Sequence, residues 1–168
     1  MSGALIVTAQ LGDADFAWLD GERRVYFPPE RNQLAAHLTM FHALPPSAEA
    51  EARHELARHA AGPAPQAMIT GLMNLGGGVA YRLVSDDLEA VRRDIANHFH
   101  GMLSAQDGQG WRPHITIMNK AKPTAARALL AELEREFRPR PLAIVGLALN
   151  RYLGGPWEKL GTWRFRGN

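Results

Sequence analysis

Trp111-Arg112-Pro113-His114-Ile115-Thr116-Ile117-Met118 is the stretch whose reading decides the fold. It is rich in β-branched residues, and Pro113 stands at its start, where a missing N–H costs a strand least. Side chains alternate faces along a strand, so His114 and Thr116 point one way and Ile115 and Ile117 the other. The apolar face anchors the strand, and the opposite face presents an imidazole beside a hydroxyl. The arrangement recurs at His37-Leu38-Thr39-Met40, within a strand expected over Leu34–Leu44 and stopped by Pro45-Pro46. Seven His and ten Ser or Thr in 168 residues give roughly 0.4 His-x-Ser/Thr matches by chance. A single match would therefore mean little, but two with the same strand context carry weight.

The residues after each motif extend the parallel. Ten residues after His37 comes Ser47, the expected N-cap of a helix from Ala48 to Ala60. Ten residues after His114 comes Thr124, the expected N-cap of a helix from Ala125 to about Phe137. Strand-like segments come next, beginning at Gln66 and at Pro141. Each closes in a glycine-containing turn, Leu75-Gly76-Gly77-Gly78 and Leu153-Gly154-Gly155-Pro156, and a last strand, Val79–Val84 or Trp157–Phe165. The chain reads as a diverged duplication of strand, helix and hairpin with a period near 77 residues, the separation of His37 and His114. One His-x-Thr per copy makes a site assembled from two halves.

The pair His37-Leu38-Thr39-Met40 and His114-Ile115-Thr116-Ile117 resembles the signature of the 2H phosphoesterase superfamily. Within it the similarity is to the 2′-5′ RNA ligase-like, or RNA 2′,3′-cyclic phosphodiesterase, branch. Phe27-Pro-Pro-Glu-Arg-Asn32 before the first motif and Asn119-Lys120 after the second support the resemblance, which spans nearly the whole chain. It implies a substrate with an RNA-type 2′,3′-cyclic phosphate, opened to a 2′-phosphomonoester. It also implies a minor reverse joining that makes a 2′-5′ linkage.

The residues themselves permit that chemistry. Imidazole titrates near neutrality, so one ring can be neutral while the other is protonated. One would take a proton from water and the other give one to the leaving ribose oxygen, with Thr39 and Thr116 donating to the nonbridging oxygens. No metal or cofactor is required. The sequence does not say which ring is base and which is acid. The catalytic candidates are thus His37, Thr39, His114 and Thr116. Arg112 and Lys120 are candidates for holding phosphate or the RNA end. Tyr152 and Trp157, and Trp111 beside the motif, are candidates for stacking a base.

Other features narrow the function. The chain is long enough for a real core, and 46% apolar residues fit a globular domain. Cysteine is absent, which excludes disulfides and thiolate metal sites. Met1–Leu11 is apolar but lacks a basic leader, so a strand over Ala4–Leu11 is expected and not a signal peptide. No run is long enough to span a membrane. These absences suggest a cytoplasmic enzyme with no membrane association and no evident obligate protein partner. Net charge is only +2, but residues 1–84 hold six Lys/Arg and eight Asp/Glu, and residues 111–168 hold eleven and four. The basic second half suits a phosphate-bearing partner.

Asp13 to about Arg23 is an expected helix, capped by Asp13 or Asp15, with Phe16 and Leu19 inward. Asp86–Gly101 is an expected linking helix capped by Ser85 or Asp86, with His98 and His100 complementing the dipole at its end. His54 and His59 fall five residues apart and not four, so they miss the spacing of a zinc-binding helix. His42 reads as packing or rim. Neither glycine turn fits a phosphate loop, and no nucleophile elbow occurs. Ser104–Gly110 is a candidate cover for the cleft.

The expected fold is α+β: two pseudo-twofold-related lobes of mostly antiparallel sheet flanked by helices, with the two motif strands facing a central cleft. The first lobe would hold about residues 34–84 and the second about 111–166. Two other functions fit the same residues. One is a phosphodiesterase of small cyclic nucleotides or ADP-ribose cyclic phosphate. The other is a non-catalytic RNA-binding module using the basic half.

Overall fold

The structure is a computed structural model that describes residues 3–167, so the first two residues of the apolar Met1–Leu11 stretch lie outside it. Strand β1 (Leu5–Leu11) leads into helix α1 (Asp13–Tyr26), a 3₁₀ turn at Pro29–Arg31 and strand β2 (Leu38–Leu44). A second 3₁₀ turn, Pro46–Ala48, opens helix α2 (Glu49–Ala60), which is followed by the hairpin β3 (Gln66–Asn74) and β4 (Val79–Val84). Helix α3 (Asp86–His98), strand β5 (His114–Met118), helix α4 (Pro123–Glu136) and the hairpin β6 (Arg140–Tyr152) and β7 (Trp157–Arg164) complete the chain. The fold is α+β. Among the described residues, no helix is long and apolar enough to cross a membrane.

The seven strands form one antiparallel sheet in the order β2-β1-β6-β3-β4-β5, with β7 also paired to β6. Strand β6 is the spine: Arg140–Ala143 pair with β3, and Ile144–Arg151 pair with β1. The sequence repeat therefore maps onto two β-α-β-α-β units, β1 to β3 and β4 to β6. The third strand of each unit lies in the other unit's half of the sheet. Each half of the sheet therefore draws strands from both units. Motif strand β2 shares its half with β1, β6 and β7, and β5 shares its half with β3 and β4. The two motif strands are the two ends of the strand order, and the sheet curls until they touch.

Alternation sets what each strand buries. Leu5, Val7, Ala9 and Leu11 of β1 and Ile115 and Ile117 of β5 enter the core with Phe41, Leu56, Leu88, Phe99 and Leu147. Each fully buried large aliphatic contributes roughly 1.5–3 kcal/mol. Thr8 and Thr39, which pair across β1 and β2, lie on the opposite face.

Several helix starts differ from expectation. Neither Asp13 nor Asp15 caps α1; the cap is Gly12, whose N–H donates to the Ala143 carbonyl at 2.9 Å. Asp15 instead accepts from the Ala143 N–H at 2.7 Å, tying α1 to β6. The helix runs on to Tyr26, and Phe16 is 38% exposed while Leu19 is fully buried. Ser47 and Thr124 cap nothing: Ala48 and Lys122 occupy the cap positions. Proline explains both shifts. Pro45 and Pro46 enter α2 through a 3₁₀ turn, and Pro123 takes the first position of α4, where its missing N–H is unneeded. Ser85 does cap α3, accepting from Leu88 N–H at 3.1 Å, but the helix ends at His98 and not Gly101, which has φ +85°. Both glycine turns close hairpins, with Leu75 N–H on the Gly78 carbonyl and Leu153 N–H on the Pro156 carbonyl.

Candidate active site

His37 stands one residue before β2 and not within it, whereas His114 is the first residue of β5. Residues 34–37 are held by side chains in place of a ladder: the Ala36 N–H donates to Asp20 Oδ1 at 2.9 Å. The two rings are nonetheless fixed alike. His37 Nδ1 lies 2.9 Å from the carbonyl of Ala35, and His114 Nδ1 lies 2.7 Å from the carbonyl of Arg112, each two residues back. A carbonyl only accepts, so Nδ1 must carry the hydrogen in both. That leaves each Nε2 as the free nitrogen, with no protein partner among the described residues.

Both rings line one cleft of about 350 Å³ with Thr39, Thr116, His42, Arg92, Arg112, Trp111 and Trp157. This lies at the small end of ligand pockets, which run roughly 300–1,000 Å³. Trp157 sits edge-on to His37, with ring centroids 4.8 Å apart. Burial drives the His37 pKa down to about 4. The hydrogen bond to Ala35 opposes the shift, and the charges of Arg23, His114 and His42 add to it. His37 is therefore neutral at physiological pH, with its Nε2 lone pair available.

Side chains from outside the ladder cap the exposed edges at the motifs. The Trp111 indole N–H donates to the Thr39 carbonyl at 3.1 Å, and Arg23 Nη1 donates to the Thr116 carbonyl at 3.0 Å. Edge carbonyls that would otherwise go unpaired are thus satisfied. Trp111 is engaged at this edge while its ring also meets Arg92. Arg92 in turn donates to the carbonyls of Met40 and Asp107 at 3.1 and 2.8 Å.

The loop Ser104–Gly110 borders the cleft through Gln106, Asp107, Gln109 and Gly110. Asp107, 1% exposed, pins it to β2. Its carboxylate accepts from the N–H groups of His42 and Ala43 at 2.8 and 2.9 Å and meets His42 Nδ1 at 3.1 Å. Burial alone would raise its pKa, but these bonds hold it below the usual carboxylate value. His42 is thus an anchor at the rim of the cleft.

Of the four expected binding residues, Arg112 and Trp157 border the cleft. Lys120 and Tyr152 lie in an adjoining depression that His37, Thr116 and Trp157 also line. Arg23, Arg92 and Asp107 carry no recognisable pattern in the sequence, because each stands alone on a helix or loop far along the chain from its partner. Away from the cleft, Glu55, His59 and Asp94 bring ligand-type atoms within 4.8 Å of one another. Arg58 already bonds both carboxylates, so the donors fit an ion-pair network and not a divalent cation. His54 takes no part in that group.

The antiparallel sheet thus brings the two His-x-Thr motifs to one cleft. The sequence profile of the 2′-5′ RNA ligase superfamily, a group of 2H phosphoesterases, matches residues 12–156, and the chain belongs to that family. No curated protein sequence matches it. Solved structures share the fold. TT0787 of Thermus thermophilus is 16% identical with a TM-score of 0.66, over 98% of this chain and 99% of that one. E. coli LigT complexed with NADP⁺ is 17% identical with a TM-score of 0.58, over the same shares. E. coli LigT complexed with 3′-AMP is 16% identical with a TM-score of 0.59, again over 98% and 99%.

Proposed function

We propose that this protein is a metal-independent phosphodiesterase that opens 2′,3′-cyclic phosphates at RNA ends to 2′-phosphomonoesters. The observation that carries the reading is the matched pair of rings, each held through Nδ1 by the carbonyl two residues back, at one cleft. His37, held neutral by burial, is the base: its Nε2 takes a proton from water as the water oxygen bonds to phosphorus. The bond from phosphorus to O3′ breaks, and His114 Nε2–H delivers a proton to that oxygen. Thr39 and Thr116 hydroxyls donate to the nonbridging oxygens as their charge grows. Arg112 and Arg92 add positive charge at the cleft, and Trp157 offers a face to a base. If the 5′-hydroxyl of a second strand replaces water, the same steps give a 2′-5′ linkage, a minor ligase reaction.

Two observations support RNA ends as substrate. Depressions of about 500 and 290 Å³ adjoin the cleft at His37 and Trp157, leaving room for groups beyond the reacting ribose. The basic second half of the chain suits a polyanion. A mononucleotide or other small cyclic phosphate is the second reading, favoured by the modest volume of the cleft itself. Hydrolysis of a 2′,3′-cyclic-phosphate oligonucleotide in EDTA, followed by phosphorus NMR, tests the proposal. The expected product is the 2′-phosphomonoester. A 3′-phosphomonoester, or activity that only a divalent ion restores, would refute the mechanism.

A further inference from the structure

The depression of about 290 Å³ that shares His37, Thr116 and Trp157 with the cleft has a composition of its own. Arg23, Arg31 and Lys120 line it, and among the described residues no carboxylate does. None of the three forms an ion pair among the described residues. Arg23 is 3% exposed. A charge taken that far from water normally has an anionic partner. Here its Nε and Nη2 reach Asn32 Oδ1 at 3.2 and 3.0 Å, and Nη1 reaches the Thr116 carbonyl. Phe27 covers one face of the guanidinium at 4.5 Å. Three of its five N–H donors are thus engaged, all by neutral groups, and the charge is not neutralised. Asp20, the acid whose charge it feels, is bonded to the Ala36 N–H.

Lys120 reaches the same space from an unusual backbone. It has φ +58°, and its N–H is held by Asn119 Oδ1 at 2.9 Å. Arg31 comes from the 3₁₀ turn before the first motif. Three cations from three segments therefore converge beside the cleft that holds both motif histidines.

We infer that this depression is a subsite for a second phosphate group on the substrate, one carried in addition to the cyclic phosphate. The inference rests on the phosphodiesterase reading and specifies its substrate class: nucleotides whose cyclic end is attached to a further phosphate. A phosphate offers acceptor oxygens to the spare Arg23 N–H groups, to Arg31 and to Lys120, and supplies the missing negative charge. Two sources share this chemistry, the internal phosphodiester of an RNA strand and a 5′-terminal phosphomonoester.

The test compares wild type with Arg31→Ala, a surface change that leaves buried Arg23 in place. Three substrates are used: adenosine 2′,3′-cyclic phosphate, its 5′-phosphorylated form, and a dinucleotide ending in the cyclic phosphate. In wild type the second phosphate should lower KM about tenfold, and Arg31→Ala should remove most of that advantage while changing KM for the one-phosphate substrate less than twofold. Whether the benefit appears with the 5′-phosphate or with the dinucleotide identifies the source. An equal effect of the variant on all three substrates, or no gain from a second phosphate, overturns the subsite.

Calorimetric binding of adenosine 3′,5′-bisphosphate against adenosine 3′-monophosphate reads the same preference without turnover. A bisphosphate preference lost in Arg31→Ala upholds the subsite even if no substrate is hydrolysed, an outcome that would overturn only the phosphodiesterase reading. Hydrolysis of all three substrates without such a preference has the opposite meaning.

Discussion

Replacing His37 with Gln should flatten the acid side of the protein's stability curve. An ordinary histidine titrates near 6.5, and burial holds His37 down at about 4. In the unfolded chain the ring takes its proton first, so between these values the unfolded state binds more protons than the folded one. Falling pH then favours unfolding. The contribution is fully present above about pH 6.5 and is lost as pH falls toward 4. A shift of this size is worth at most about 3 kcal/mol, and less to the extent that water reaches the half-buried ring. Urea denaturation at steps from pH 7 to pH 4 measures it. Wild type should lose up to about 3 kcal/mol more than His37→Gln across that range, after the losses common to both. Parallel curves, or an NMR titration that places the His37 ring near 6.5, would refute the reasoning.

The same depression should appear in kinetics: the acid limb of kcat/KM lies near pH 4 and not near 6.5, because the base of the free enzyme sets that limb. Thr39→Ala and Thr116→Ala should each cost about 1–3 kcal/mol of transition-state stabilisation, seen in kcat more than in KM, as lost hydrogen bonds to developing charge. Asp107→Ala leaves the N–H groups of His42 and Ala43 unpaired and frees the cleft loop. It should destabilise the fold by about 2–3 kcal/mol, a drop in Tm of roughly 5–10 °C by calorimetry.

The strands, both hairpins and the repeated motif are legible in the sequence because they rest on local pattern: alternation, glycine turns, and the 77-residue separation of His37 and His114. The exchange of third strands is not. Nothing in the apolar run of β3 or β6 distinguishes one partner strand from another, and β6 serves both halves. Ser47 and Thr124 mislead because proline pre-sets the backbone at both helix starts, so no side-chain cap is needed. Arg23, Arg92 and Asp107 escape notice for a different reason. Their partners lie 93, 52 and 65 residues away, and a lone arginine or aspartate looks like ordinary surface until the chain is folded. His37 falls just outside the strand expected to contain it, because Asp20 rather than a ladder holds the segment before β2.

Turnover of His37→Ala and His114→Ala tests most directly whether two histidines perform the chemistry together. The substrate is an oligonucleotide ending in a 2′,3′-cyclic phosphate, and circular dichroism confirms folding. Each single variant should lose about 10²–10⁴ in kcat. The double variant should lose less than the product of the two, because both groups serve one transition state. A folded His37→Ala or His114→Ala protein with near-wild-type turnover would contradict the two-histidine mechanism.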